Sequence, residues 1–336
     1  MMAEESGVTS EESGGLFGFR FWEFYRYQKP MVRVVLATLP AMAGAVYFFG
    51  WRALAVVLVS IVFGTLAEWS FCRKRGEPVS SAVFVTAVLY ALILPPRVPY
   101  MVVIVGIVVG IVFGKEVFGG FARNVFNPAL VGRCFVFVCF PVEMTGKWLA
   151  PYGGFTGGLF QWVKGVDAVT RATPLAQFKT GESVAALGNL FWGNVGGCLG
   201  ETSALLVTIG GLYLLYTKTA NWRIVVSCLV GAALTSAGFH YGGAATVPGP
   251  LFSLMSGGLL FGAFFMATDP ISAAQTTPGR YIYGFLIGAL IVIIRGFSGW
   301  AGGTMFAILL MNVFNPIMDH YVREIQQGLK AKAEGE

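Results

Sequence analysis

A polar segment near the middle of the chain carries hydroxyl groups in a setting that suits a ligand. It reads DAVTRATPL over 167–175, within a connection rich in glycine pairs and aromatic side chains. A threonine before a proline, as at Thr173, is in most loops only part of a turn. Here the flexible backbone and the aromatic residues Tyr152, Phe155 and Trp162 offer a surface for a flat ligand. Both interpretations, a turn and a ligand site, stay open on the residues alone.

Ionisable residues inside or against long apolar stretches form a second set of candidates. Charged side chains are costly in such places and often serve ion or proton movement. The set consists of Glu68, Glu116, Arg133, Glu201, Asp269 and Asp319. Structural roles compete with functional ones: Glu116 follows Lys115 and can be interfacial, Arg133 can neutralise a carboxylate, and Asp269 can cap a helix before its proline.

Metal and nucleic-acid chemistry have little support in this chain. Its five cysteines form no C-x-x-C pair and it has only two histidines, so a zinc, iron–sulfur or haem site made by this chain alone is not expected. A cluster shared with a partner chain stays open. No long Lys/Arg block predicts nucleic-acid binding, and no G-x-G-x-x-G follows a strand, so a dinucleotide-binding fold is not expected in this chain.

The elements that position these residues are apolar helices. Hydrophobic residues make up 56% of the 336 positions and charged residues 12%, which predicts an all-α integral membrane protein. Because a bilayer core needs about 20 apolar residues per helix, the sequence predicts about ten transmembrane helices. The predicted spans are 31–50, 52–71, 79–94, 98–115, 125–141, 202–217, 222–240, 250–267, 281–295 and 301–319.

The distribution of Lys and Arg predicts the orientation of these spans. Most basic residues of the connections fall on one side when both termini are placed in the cytoplasm, as expected for a cytoplasmic (inner) membrane protein. The chain then divides into a cytoplasmic segment, five helices, an external connection, five further helices and a cytoplasmic tail. The corresponding ranges are 1–30, 31–141, 142–200, 201–320 and 321–336.

Two pairs of similar segments predict an internal duplication. The pentapeptide NVFNP at 124–128 recurs at 312–316, and EPVSSA at 77–82 resembles DPISAA at 269–274. With five spans in each half, the second half must be inverted relative to the first, and such repeats bind ligands near interrupted helices. Asn124 and Asn127 are therefore candidates to face a ligand, although an Asn-Pro pair can also simply shape a helix end.

Several motifs carry a resemblance to a known family. The clearest lie at 84–96, at 115–120 (KEVFGG), at 127–133 (NPALVGR), at 193–203 and at 265–270. Through these motifs, nearly the whole chain beyond residue 30 resembles the D subunit of the Rnf ferredoxin:NAD oxidoreductase complex and the B subunit of the sodium-pumping NADH:quinone reductase. The segments around 173–175 and 200–203 look more like the Rnf protein.

The resemblance implies cofactors and residues to hold them. Thr173 matches the threonine that carries FMN through a phosphoester bond, with Asp167 and Thr170 as motif partners and a separate flavin transferase that attaches the group. Arg171 and Ala168 stand where the family usually has glycine, and an arginine beside a phosphoester is electrostatically favourable.

The same resemblance implies a non-covalent riboflavin and an ion pathway. Riboflavin is expected near Asn124 and Asn127, and Glu68 and Asp319 match acidic positions considered for cation uptake. The implied function is that of a membrane subunit of an ion-translocating oxidoreductase, which passes electrons across the membrane coupled to Na⁺ or H⁺ transport. It works with other membrane and peripheral subunits and is not expected to catalyse alone.

Alternative functions differ in what they require of the 142–200 connection. Within the resembled family, the alternative is a B-type subunit of a sodium-pumping NADH:quinone reductase. A small-solute channel or transporter of inverted-repeat fold has no need of an aromatic, threonine-bearing external segment. A scaffold for other subunits is compatible with the spans as well.

Overall fold

The computed structural model describes residues 25–146, 148–163, 173–181, 185–300 and 302–334. Three predicted site residues, Asp167, Thr170 and Arg171, lie outside the described residues. The described part is almost entirely helical. Its exception is a short parallel pair of strands, β1 (Tyr25–Arg26) and β2 (Val79–Ser80), which ties the start of the described chain to the connection before the third helix.

The helices follow one another with short connections. In the first half they are α1 (Lys29–Phe49), α2 (Arg52–Arg75), α3 (Ala82–Leu92), α4 (Tyr100–Ile111), α5 (Pro128–Cys139) and α6 (Pro141–Thr145). In the middle connection lie α7 (Pro174–Thr180) and α8 (Leu187–Trp192). The second half contains α9 (Ala204–Tyr216), α10 (Trp222–Tyr241), α11 (Pro250–Met255), α12 (Leu259–Phe261), α13 (Thr277–Phe297) and α14 (Thr304–Glu334).

Helix length separates two groups of apolar helices. Within the described residues, four helices, α1, α2, α10 and α13, are long and apolar enough to cross a membrane, and α3, α5 and α9 are shorter but apolar. With 11 residues, α3 rises only about 16 Å at 1.5 Å per residue, about half of a hydrocarbon core. Integral membrane architecture is therefore confirmed in its coarse form, with several helices too short to span by themselves.

The predicted span at 250–267 is not one continuous helix, because the chain breaks inside it. Helix α11 ends at Met255, and Gly257 adopts a positive φ of 59° before α12 begins. Glycine accepts that backbone conformation at no steric cost. The following five residues, Gly262–Met266, form a π-helical turn, as do Val112–Glu116 after α4.

The two copies of the pentapeptide occupy different local structures. Asn127 is the N-cap of α5, where its side-chain oxygen accepts a hydrogen bond from the backbone N–H of Ala129, and Pro128 takes the first helical position. The second copy lies inside α14, where Pro316 is an interior residue. The pentapeptide match by itself therefore does not mark equivalent positions of a repeat.

Glycines allow α4 and α5 to approach until their backbones touch. A Cβ atom on Gly132 would overlap the carbonyl of Gly106 and lie 3.4 Å from Cα of Gly110. Small residues permit this contact, which in membrane helices supplies van der Waals packing in place of a hydrophobic driving force.

We expect Gly132→Val to prevent this packing. Both obstructing groups are backbone atoms that no side-chain rotation can move, so the cost exceeds the usual ~1–3 kcal/mol of overpacking. The yield of monodisperse protein after detergent extraction should fall several-fold, measured by fluorescence-detected size exclusion. Gly238→Val is the matched control, because a Cβ at this helical glycine meets nothing within 4 Å. Equal yields for the two variants would contradict the close approach.

Candidate functional site

Thr173 begins a short helix in the middle connection. It is the N-cap of α7, with extended backbone (φ −62°, ψ 155°), and its Oγ1 accepts a hydrogen bond from the backbone N–H of Ala176 at 3.3 Å. Threonine is favoured at this position and proline at the next one, so the sequence Thr-Pro specifies the start of the helix. Pro174 and Leu175 are buried, which fixes the Thr173 oxygen relative to the membrane helices.

The other end of α7 is attached to the connection between α13 and α14. The Lys179 ammonium donates to the backbone carbonyls of Ser298 (2.8 Å) and Trp300 (3.2 Å). Burial lowers the pKa of Lys179, and the positive charge of Arg295 lowers it further. Helix α7 is thus held at both ends, and its lysine lies within the electrostatic field of a buried arginine.

Thr173 lines a cavity of about 600 Å³, here called the Thr173 cavity. Its volume lies within the range of about 300–1,000 Å³ that small-molecule sites occupy. The walls combine aromatic, charged and glycine residues from α5, α13 and the neighbouring connections. Those of interest are Phe137, Trp148, Trp300, Arg133, Glu201, Arg295, Gly196, Gly197, Gly257 and Gly258.

Two arginines and one glutamate supply the charge in this wall. Arg133 donates from Nη1 to Glu201 at 3.1 Å and from Nη2 to the sulfur of Cys198 at 3.5 Å. The predicted pairing of Arg133 with a carboxylate is therefore confirmed. Arg295 binds neutral groups, the carbonyl of Ser253 (3.1 Å) and the hydroxyl of Thr304.

The break between α11 and α12 makes room for these charged groups. A Cβ on Gly257 would lie 3.1 Å from Nη2 of Arg295, and one on Gly258 would lie 2.5 Å from Cδ of Glu201. Irregular backbone at membrane depth is tolerated where it is buried in protein or lines a cavity. Sequence reasoning missed this break, although the Ser-Gly-Gly run at 256–258 was the available signal.

An aromatic cluster forms one side of the Thr173 cavity. Trp300 stacks on Phe306 with ring centroids 4.8 Å apart and planes at 19°, and Phe137 stands edge-on to both rings. Trp300 remains 48% exposed. Its packing holds the indole ring in place, and its exposed area is open to a further flat group.

The predicted residues Asn124 and Asn127 line a second cavity, of about 260 Å³. Lys115, Phe265 and Asp269 also contribute to this Asn127 cavity. The Asn127 side chain caps α5, and the Asn124 amide donates to the backbone carbonyl of Phe126 at 3.0 Å. The asparagines thus shape the chain locally and also line a cavity.

The two pentapeptide copies meet beside this cavity. In the orientation that satisfies both ends of its amide, Asn312 accepts from the backbone N–H of Asn127 (3.2 Å) and donates to the hydroxyl of Tyr283 (2.7 Å). Asn315 donates to the backbone carbonyl of Ser272 at 3.0 Å. The repeated asparagines therefore join α14 to the start of α5 and to the connection before α13.

The two predicted ion-pathway residues accept hydrogen bonds from different backbone segments. Glu68 accepts from the Lys115 ammonium at 2.5 Å and from the backbone N–H of Ser80 at 3.1 Å. Asp319 accepts from the backbone N–H groups of Gln275 (2.7 Å) and Thr276 (3.0 Å). Each carboxylate fixes the connection that precedes a helix, α3 or α13.

Lys115 and Glu116 are both buried within the protein and do not lie on its surface. The π-helical turn Val112–Glu116 turns these neighbours inward, where they are 2% and 4% exposed. Wide turns of this kind are frequent at functional sites. Glu116 forms an ion pair with Arg75, and Lys115 lies in the wall of the Asn127 cavity besides binding Glu68. The sequence signal was a Lys-Glu pair inside an apolar run.

Within the described ranges, no three or more His, Cys, Asp or Glu side chains are grouped so that they could hold a metal ion.

Helices of membrane type, packed around one cavity of about 600 Å³ and another of about 260 Å³, define a multi-pass membrane protein. The chain belongs to the NQR2, RnfD, RnfE family, whose model matches residues 24–328. One relative, the D subunit of the ion-translocating oxidoreductase complex of Alcanivorax borkumensis, is 37% identical over 327 residues, which cover 91% of this chain and 94% of the relative. Another, the B subunit of the Na(+)-translocating NADH-quinone reductase of Ectopseudomonas mendocina, is 40% identical over 304 residues, covering 86% and 70%.

Proposed function

We propose that this chain is a membrane subunit of an ion-translocating oxidoreductase complex of the Rnf type. It carries covalent FMN on Thr173 and passes electrons across the membrane, coupled to Na⁺ or H⁺ transport. The names of both relatives support the class, and the nearly full-length match to a D subunit favours it over a B-type subunit of a sodium-pumping quinone reductase. The redox names of these relatives also weigh against a small-solute channel.

The observation that carries the proposal is the position of Thr173 at a cavity suited to a flavin. The cavity offers a volume of about 600 Å³, an aromatic wall and the guanidinium groups of buried Arg295 and partly buried Arg133. Buried Arg295 keeps one donor nitrogen without a partner among the described residues, as expected for a site built around an anionic ligand. The residues present therefore fit FMN: Thr173 would hold its phosphate, and Trp300, Phe137 and Arg295 would border its ring.

A bound flavin would supply one- and two-electron transfer, and the chain's own residues would provide its attachment and surroundings. The anchoring of α7 through Lys179 holds Thr173 at the cavity. The aromatic cluster excludes water from one side, and the Arg133–Glu201 pair keeps the adjoining wall polar and fixed. We expect a separate flavin transferase to form the phosphoester.

The Asn127 cavity is the proposed site of a non-covalent riboflavin. Its volume of about 260 Å³ lies close to the lower end of ligand-site sizes. Apolar residues and the amides of Asn124 and Asn127 in its wall suit a ring with polar edges. Glu68 and Asp319 are proposed to serve the passage of the cation, in a complex completed by other membrane and peripheral subunits.

We also propose ten spans arranged as two inverted five-helix repeats. Both termini would lie in the cytoplasm and the Thr173 connection outside. The membrane would be the cytoplasmic (inner) membrane. Support comes from packing, because helices contact in matching pairs in the two halves. Helix α2 packs on α3 as α10 packs on α11, α4 on α5 as α13 on α14, and α1 on α9 across the halves. Spans that contain a short helix are completed by wide turns or irregular segments.

In-gel fluorescence tests the proposal directly. The chain, co-expressed with a flavin transferase, is purified in detergent, denatured in SDS and separated by electrophoresis. A fluorescent band at 36.1 kDa, with the flavin located by peptide mass spectrometry on the fragment containing Thr173, is the expected result. Protein free of fluorescence despite an active transferase would overturn the assignment, and solute-flux measurements would then test the channel alternative.

A further inference from the structure

Arg295 places a buried positive charge in the wall of the Thr173 cavity. Its side chain is 4% exposed, and its two terminal nitrogens donate to a backbone carbonyl and to a hydroxyl, neither of which is charged. Its Nε is buried and finds no acceptor among the described residues. Within the described residues, the hydrogen bonds of the guanidinium group therefore go to neutral groups only, and one donor is unused.

Among the described residues of the cavity wall, no carboxylate forms a hydrogen bond or ion pair with Arg295. Among the residues described in that wall, Glu201 is the sole carboxylate, and it accepts a hydrogen bond from Arg133. Two guanidinium groups against one carboxylate leave one net positive charge. An uncompensated buried charge is unfavourable, so the cavity favours a ligand that is, or becomes, negatively charged.

Arg295 also lies close to the segment that carries Thr173. A Cβ placed on Gly257 would contact Nη2 of Arg295 at 3.1 Å and Cδ1 of Leu175 at 3.0 Å, so the guanidinium group and Leu175 flank the same glycine. Leu175 is two residues after Thr173. A ligand attached to Thr173 that turns into the cavity therefore meets this guanidinium group.

We propose that Arg295 is a flavin-contacting residue that compensates negative charge on the ring and thereby raises its midpoint potential. The inference rests on the proposed function and deepens it. Two electrons and one proton added to the oxidised, neutral ring leave one negative charge on it. An arginine keeps its own proton at any physiological pH, so it balances that charge without a further proton transfer. Protein charge near the ring is a recognised means of tuning a flavin.

The charges of the wall predict effects of opposite sign. Removing the positive charge in Arg295→Gln should lower the midpoint potential, because the reduced ring loses its counter-charge. Removing the negative charge in Glu201→Gln should raise it, because Arg133 is then no longer neutralised. General damage to the cavity does not predict this reversal of sign, which separates an electrostatic role from a merely structural one.

Potentiometric titration of the flavinylated, detergent-purified chain measures these shifts. Dithionite and mediator dyes set the potential, and flavin absorbance reports the reduced fraction. We expect Arg295→Gln to decrease the ratio of reduced to oxidised flavin about tenfold at a fixed potential, equivalent to about 30 mV for a two-electron couple. Arg295→Lys, which keeps the charge, should stay within about threefold of the wild type.

A matched control is Arg52→Gln. Arg52 also donates to backbone carbonyls, including that of Val98, but it is not part of the Thr173 cavity wall. The Arg52→Gln variant should leave the ratio of reduced to oxidised flavin unchanged. Equal shifts for Arg52→Gln and Arg295→Gln, a wild-type ratio in Arg295→Gln, or a decrease in Glu201→Gln would each overturn the inference.

Failure of this inference is distinguishable from failure of the proposed function. Absence of in-gel flavin from the wild type contradicts the proposed function before any titration begins. A wild type that carries flavin, together with charge variants that do not move its potential, contradicts only the role of Arg295. If Arg295→Gln does not fold, Arg295→Lys and the sign of the Glu201→Gln shift still decide the question.

Discussion

Thr173→Ala should abolish covalent flavin attachment while leaving the membrane fold intact. The proposed phosphoester requires the Thr173 oxygen, so its removal is expected to reduce in-gel flavin fluorescence at least a hundredfold. The structural cost is small by comparison, because loss of an N-cap side chain costs about 1 kcal/mol. The Lys179 contacts and buried Leu175 continue to hold α7 in place.

The same short helix offers a matched control in Thr180→Ala. Thr180, at the far end of α7, also bears a hydroxyl, but this hydroxyl donates to the backbone carbonyl of Ala176. This variant should retain wild-type fluorescence, and Thr173→Ser should retain part of it because an oxygen remains. Loss of flavin from Thr180→Ala as well, or full labelling of Thr173→Ala, would contradict attachment at Thr173.

The second large effect concerns the buried Glu68–Lys115 ion pair. Their side chains are 1% and 3% exposed, so Lys115→Met leaves a carboxylate without a counter-charge in the interior. Breaking such a pair on one side typically costs about 3–5 kcal/mol. Glu68→Gln in the Lys115→Met background removes the charge and should restore much of this stability, although the amide cannot fully replace the carboxylate at the Ser80 N–H.

Thermal unfolding in detergent, followed by tryptophan fluorescence, measures these effects across a double-mutant cycle. The control is Lys74→Met, which removes an exposed lysine in the last turn of α2 and should change stability by less than about 0.5 kcal/mol. A Lys115→Met protein as stable as the Lys74→Met protein would argue against a buried pair. A double variant no better than Lys115→Met alone would show that packing of the lysine stem, rather than charge, dominates.

The sequence predicted the features that follow from local pattern and missed those that depend on tertiary packing. Apolar runs of about 20 residues correspond to the long helices α1, α2, α10 and α13, because a helix pairs the backbone N–H and C=O groups within the segment itself. Thr-Pro at 173–174 is a local helix start signal, although it was interpreted from the sequence as a turn or a ligand site and not as the start of α7. Arg133 was expected to find a carboxylate, since an isolated charge in an apolar span is too costly.

Other features could not be read from the residues alone. The break at 256–258 exists because Glu201 and Arg295 occupy the space beside two glycines, and those partners lie about 40 to 60 positions away along the chain. The wide turn that buries Lys115 and Glu116 is likewise stabilised by Glu68 and Arg75. A sequence window contains the glycines and the charges but not the neighbours that determine their conformation.

The position of Lys115 between two chambers has a thermodynamic consequence. Its side chain lines the Asn127 cavity, and its ammonium group binds Glu68, which lines a separate polar pocket of about 200 Å³. A ligand in the Asn127 cavity that attracts the Lys115 ammonium weakens the ion pair between Lys115 and Glu68. A cation that binds Glu68 likewise frees the ammonium to interact with the Asn127 cavity. By linkage, each event changes the equilibrium of the other by the same factor. Buried Lys115 thus couples binding in the Asn127 cavity to binding in the polar pocket beside Glu68.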